Sequence, residues 1–164
     1  NLLINFITSM PIKTLKIKKV FAYTIHRSLK ATPPKEYPST GEIKTTLSDI
    51  LPALKVHIDE YLKLSARAEE VTSNAVLKDV TDEKTGVVSK IVSDEPSKAK
   101  LEVINEEWKK YNKEHGDEIV DVVLDGEGFK VLKEQFDREN WGKTWVVNIE
   151  EFSELMDAFA ETAK

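Results

Sequence analysis

Leu47, Leu51, Leu54, Ile58, Tyr61 or Leu62, Ser65 and Ala68 recur at steps of three and four. Such spacing places them on one side of a 3.6-residue helix and demands an apolar surface opposite. Pro52 interrupts the run. A proline lacks the N–H that an interior turn needs, but costs nothing in a first turn. The spacing therefore predicts a main helix that opens near Pro52, capped by Ser48 or Asp49, and runs to about Val71. Any helix over 42–50 is expected to be a separate short piece.

The period then changes. Val76-Leu77-Lys78-Asp79-Val80 and Val87-Val88-Ser89-Lys90-Ile91-Val92 flank Asp82-Glu83-Lys84-Thr85-Gly86. Two β-branched runs around a polar turn ending in glycine predict a β-hairpin. A second helix is expected after it, with Asp94 or Ser97 as cap. Its stripe is Leu101, Ile104, Trp108 and Tyr111, and His115-Gly116 stops it. The hairpin lets the two long helices run antiparallel and bury their stripes together.

The flanks are less regular. Leu15 and Ile17 alternate with Lys16 and Lys18, a strand signal. From Val20 to Leu29 a short helix fits equally well. Residues 31–41 hold Pro33, Pro34, Pro38 and Gly41 and read as a loop. Ile119–Leu124 reads as a strand, stopped by Asp125-Gly126-Glu127-Gly128. Phe129, Leu132 and Phe136 mark a short helix. Asn140–Lys143 reads as a turn and Trp145–Val147 as a short extended run. A last helix starts near Asn148, with Phe152, Leu155, Met156, Phe159, Ala160 and Ala163 on its apolar face.

The fold class expected is α+β and mostly helical: an antiparallel long-helix hairpin joined by a β-hairpin, with a small C-terminal strand–helix cap. The expected division is a basic N-terminal segment, 1–41, followed by a helical-hairpin domain, 42–164.

Charge is unevenly spread. Residues 1–40 carry +6, residues 41–100 carry −2 and residues 101–164 carry −9, together the net −5 of the chain. Lys13, Lys16, Lys18, Lys19, Arg27, Lys30 and Lys35, interleaved with Phe21, Tyr23 and Tyr37, form the best nucleic-acid candidate. The overall acidity argues against phosphate affinity, so no nucleic-acid partner is expected. The acidic C-terminal third could instead mimic phosphate in a basic groove of another protein.

The chain has no cysteine, which removes disulfides, thiolate zinc sites and cysteine nucleophiles. His26, His57 and His115 fall on different elements without metal-ligand spacing. The Asp125–Gly128 run lacks the alternate carboxylates of a calcium loop and the third glycine of a dinucleotide fingerprint. Phosphate-loop and nucleophile-elbow motifs are absent too. No catalytic residue, cofactor, metal or small-molecule substrate is expected, and the chain reads as non-enzymatic. An enzyme with an unfamiliar site stays open as an alternative. No apolar run approaches the roughly 20 residues of a membrane span. Residues 1–9 are apolar without a preceding basic residue, and Met10 is a candidate internal start. A cytoplasmic, non-secreted protein is expected.

The aromatic C-terminus supplies the interface candidates. Trp141, Trp145, Phe152, Met156 and Phe159 are expected to meet a protein partner or a second copy, since tryptophan and other large apolar groups anchor interfaces.

Leu51-Pro52, Ala66-Arg67-Ala68-Glu69-Glu70, the glycine-turn hairpin, and Glu107-Trp108-Lys109-Lys110-Tyr111 before Val120-Asp121-Val122 come in a suggestive order. Over about residues 47–125 the chain resembles a group of small uncharacterised proteins from phages of Gram-positive bacteria. The resemblance implies a viral accessory or assembly protein, in host cytoplasm or virion, acting through protein contacts. The segment from Trp141 to Lys164 departs from it, and it carries over no site residues. The alternative is an acidic inhibitor of a host defence or nucleic-acid-binding enzyme.

Overall fold

The computed structural model describes residues 11–31, 41–137 and 148–164, with side chains in the middle stretch described from residue 48. The elements in chain order are β1 (Ile12–Lys18), α1 (Lys19–Ala31), α2 (Gly41–Lys55), α3 (Asp59–Ser73), β2 (Leu77–Thr81), β3 (Val88–Val92), α4 (Glu95–His115), β4 (Ile119–Asp125), α5 (Gly126–Asp137) and α6 (Ile149–Ala163). This is the mostly helical α+β class the sequence predicts. The chain forms two units. One comprises residues up to Ile58 and from Gly116 onward; the other is Asp59–His115.

The division does not fall at residue 41. The first unit is built on β1 and β4, which pair antiparallel with Leu15 opposite Val122 and Lys16 opposite Asp121. Strict alternation puts Leu15, Ile17, Val122 and Leu124 on the buried face. The ladder runs on into the next helix. Lys19 N–H donates to Glu118 O at 2.8 Å and Val20 N–H to Gly116 O at 3.0 Å. Two first-turn donors of α1 thereby find partners outside the helix. Phe21, Ile25 and Leu29 of α1, Ile50 and Leu54 of α2, Phe129, Leu132 and Phe136 of α5, and Leu155 and Phe159 of α6 are all buried in this unit. The C-terminal strand and helices thus belong to a sheet-based unit with β1. β4 finds its hydrogen-bond partner in β1.

The stripe from Leu47 to Ala68 spans two helices. α2 begins at Gly41 and carries Pro52 inside it, so Ser48 and Asp49 are interior rather than capping. Three residues after the proline the helix tightens and stops. His57 N–H donates to Leu54 O and Ile58 N–H to Lys55 O, both over three residues. Ile50, Leu54 and Ile58 bury in the first unit, whereas Tyr61 and Leu64 bury in the second. The three-residue step from Ile58 to Tyr61 preserves helical spacing across the break, so periodicity alone reads it as continuous.

The second unit is the expected helical hairpin. Tyr61 near the start of α3 meets Asn112 near the end of α4, and Arg67 pairs with Glu107, so the helices run antiparallel. The Arg67 guanidinium holds the Glu107 carboxyl below its usual pKa. Tyr61 is fully buried, with Tyr111 edge-on at 5.0 Å and Trp108 tilted at 5.7 Å.

His26 is 5% exposed on the inner side of α1. Burial, then the charges of Lys30 and Lys55, pulls its pKa below the ordinary 6.5. The unfolded ring therefore takes up a proton before the folded one does as pH falls. Stability is expected to be intact above about pH 6.5 and to fall as pH drops below it. Melting temperatures between neutral and mildly acidic pH check this, and His26→Leu should flatten the slope.

Candidate functional site

β2 and β3 form an antiparallel ribbon with Leu77 opposite Val92 and Thr81 opposite Val88. Alternation leaves Val76, Val80, Val87 and Ile91 on one face and Leu77 and Val88 on the other. All six are exposed, Val76 at 63% and Val88 at 59%. A half-buried strand would show one apolar face and one polar face. Here both faces carry large apolar side chains among charged and polar ones, and both meet solvent. The ribbon is a two-stranded sheet, so among the described residues each strand also has one open edge.

The ribbon is fixed at both ends. At its base, Val76 N–H donates to Asp94 Oδ1 at 2.8 Å, and Ser97 N–H to Asp94 Oδ2 at 3.0 Å. One carboxylate thus caps α4 and pins β2; the Ser97 side chain first, then the Val76 N–H, hold its pKa below the usual carboxylate range. Ser93 adds N–H and hydroxyl bonds to Val76 O at 2.8 and 3.0 Å. At the tip, Asp82 Oδ1 accepts from Lys84 N–H and Thr85 N–H, and Gly86 takes φ +70°, which favours glycine. Asp79 and Lys90 face each other at 3.2 Å midway.

The residues expected at the interface scatter. Trp141 and Trp145 lie outside the described residues. Phe159 is 1% exposed, stacked on Phe136 at 4.6 Å, and belongs to the core of the first unit. Phe152 is half-buried against Phe136 at 5.4 Å. Met156 alone among the described members of that set is open, at 46%.

Several of the other sequence candidates find structural roles, while Lys35 and Tyr37 lie outside the described residues. Lys16 pairs with Asp121, Lys18 with Glu154 and Lys19 with Glu118, at 2.8–3.0 Å. Phe21 and Tyr23 are buried, so they offer no stacking platform. Asp125 accepts from Gly128 N–H at 2.6 Å and caps α5. His57 Nε2 lies 2.7 Å from Asp121 O, and His115 lies against the Tyr111 ring. No group of three His, Asp or Glu able to hold a metal occurs among the described residues. No helix of the described residues is long and apolar enough to cross a membrane.

Two depressions lie in the second unit. One, of about 260 Å³, follows the α3–α4 seam past Leu64, Ala68, Ile104 and Trp108. The other, of about 610 Å³, lies open on α4 around Ala99, Val103 and Glu106. The first is lined mostly by apolar side chains, and the second, with Glu102, Glu106, Glu107 and Lys110 along a single helix, lies open rather than enclosing a small molecule.

No family model, curated protein or solved structure matches the chain.

The hairpin itself is legible in the sequence, but its two-sided exposure is not a reading that turn chemistry supplies. The available signal is the doubled apolar pairs Val76-Leu77 and Val87-Val88, which break single-face alternation.

Proposed function

We propose that the chain is a non-enzymatic protein-binding module of the accessory or assembly kind, and that the β2–β3 ribbon is its docking surface. The observation that carries this reading is the set of six large apolar residues held open on a ribbon pinned at base and tip. An isolated two-stranded ribbon is marginal in water. Apolar groups left in solvent on both of its faces add little to the fold, and large apolar side chains gathered in the open mark an interaction site. Free strand edges add main-chain donors and acceptors for an incoming extended segment. A phage origin, implied by the resemblance over residues 47–125, is consistent with such a role.

The acidic-inhibitor reading has less support. Glu154 of the acidic last helix already bonds Lys18 within the first unit at 2.8 Å.

The test is a photocrosslinking residue placed at Val88, with Ile119 of β4 as an equally exposed control. In producing cells, discrete protein adducts are expected from position 88 and not from 119. Adducts from 119 alone, or from neither, would overturn the ribbon as the docking surface.

A further inference from the structure

We propose that the ribbon pairs with a second copy of this chain, β2 edge to β2 edge, in a register centred on Val80. This rests on the ribbon being the docking surface and names its occupant. The ladder bonds fix which groups are free. Asp82 N–H donates to Val87 O, and Ser93 N–H donates to Val76 O. In an antiparallel pair the bonding residues alternate, so 76, 78, 80 and 82 bond inward. The main-chain groups of Leu77, Asp79 and Thr81 then point out of the open edge.

Charge selects the edge and the register. Within the ribbon, Asp79 and Lys90 neutralise each other. Lys78 stands opposite Ile91, and Asp82 stands opposite Val87, so neither meets an opposite charge across the ribbon. When two β2 strands pair about a two-fold axis at Val80, Lys78 of each copy falls opposite Asp82 of the other. Val80 meets Val80, and the outward groups of Asp79 meet those of Thr81. Two opposite-charge pairs and one apolar pair form together, which is the self-complementarity a two-fold interface requires. Centring one residue earlier would set Asp79 against Asp79.

The β3 edge has no such solution. Val88-Ser89-Lys90-Ile91-Val92 carries a single charge, and pairing about its centre sets Lys90 against Lys90. An edge lysine of this kind guards a strand against pairing. The β2 pairing therefore closes at two copies, giving the order β3-β2-β2-β3. Val80 and Ile91 of both copies then share one face of a four-stranded sheet.

The interface is small and of the transient class, so association is sought up to millimolar concentration. The measurement is sedimentation velocity of the full chain across concentration, at low and high salt. A monomer–dimer equilibrium that weakens with salt is expected. Lys78→Glu and Asp82→Lys should each raise the dissociation constant about tenfold. An equimolar mixture of the two should dimerise again, because the mixed pair restores both opposite-charge contacts. Asp82→Lys also removes the acceptor of the turn, so Asp79→Pro serves as a second variant. It deletes an outward N–H together with the exposed Asp79–Lys90 pair, and should abolish the dimer while the inward ladder bonds of the ribbon stay in place.

A wild-type chain that stays monomeric throughout overturns the self-pairing. So does a dimer unmoved by these variants, a mixture that fails to recover, or growth past the dimer. The two levels separate cleanly. A monomer whose position-88 adducts are all foreign proteins overturns the self-pairing alone. A dimer insensitive to every ribbon variant, without position-88 adducts, overturns the docking surface as well.

Discussion

Replacing Phe159 with alanine is expected to cost the first unit about 3–5 kcal/mol, the range for emptying a buried aromatic site. Phe159 stacks on Phe136 at 4.6 Å and lies 6.1 Å from Phe129, with almost no surface left to solvent. Leu155, one turn earlier, is fully buried beside it on the same side of α6. Met156→Ala, on the open side of the helix, should change stability by no more than about 0.5 kcal/mol. Denaturant unfolding of the two variants checks the contrast. Equal, small losses would mean that the aromatic face of α6 is a surface and not a core.

Tyr61→Ala should have a comparable effect on the second unit, again about 3–5 kcal/mol. That unit has a thin core. Tyr61, Leu64 and Ile104 are its buried large apolar residues among those described, and Tyr61 is fully enclosed. Its ring meets Trp108 and Tyr111, and its hydroxyl donates to Asn112 Oδ1 at 2.6 Å. Tyr61→Phe keeps the ring and removes one hydrogen bond, so about 1 kcal/mol is expected. Amide exchange read separately over 59–115 and over the remainder distinguishes the units. Tyr61→Ala should speed exchange throughout α3 and α4, while Tyr61→Phe leaves most protection in place.

The parts of this fold that depend on nearest neighbours are visible in the sequence. Asn148 was legible as the cap of α6 because a short polar side chain precedes Glu150 and Glu151, and its Oδ1 does accept from Glu151 N–H. The ribbon was legible from β-branched runs around a turn that ends in Gly86. The antiparallel helical hairpin followed from two stripes with a short reversal between them. What depends on distant partners was not visible. Nothing in Leu15 and Ile17 says that their strand pairs with Val120–Leu124, more than a hundred residues on. Pro52 reads as a start because the proline penalty is local, whereas burial of Ile50 and Leu54 on either side holds α2 together through it.

The site shows the same limit more sharply. Phe152, Met156 and Phe159 share a helix face in the sequence, and composition alone cannot say whether that face meets another chain or its own core. Phe136 of α5, stacked on Phe159, and Phe129, tilted against it, settle the matter for that residue. Conversely, Val80 and Val88 look like ordinary strand residues until the structure shows both of them open to solvent.

Amide hydrogen exchange of the full chain, resolved to single residues at dilute and concentrated protein, tests the pairing of the docking ribbon through its β2 edge most directly. The outward amides of Leu77, Asp79 and Thr81 should gain protection with concentration, and those of Val88, Lys90 and Val92 should not. Protection gained on the β3 edge, on the outer face of β4, or nowhere would contradict it.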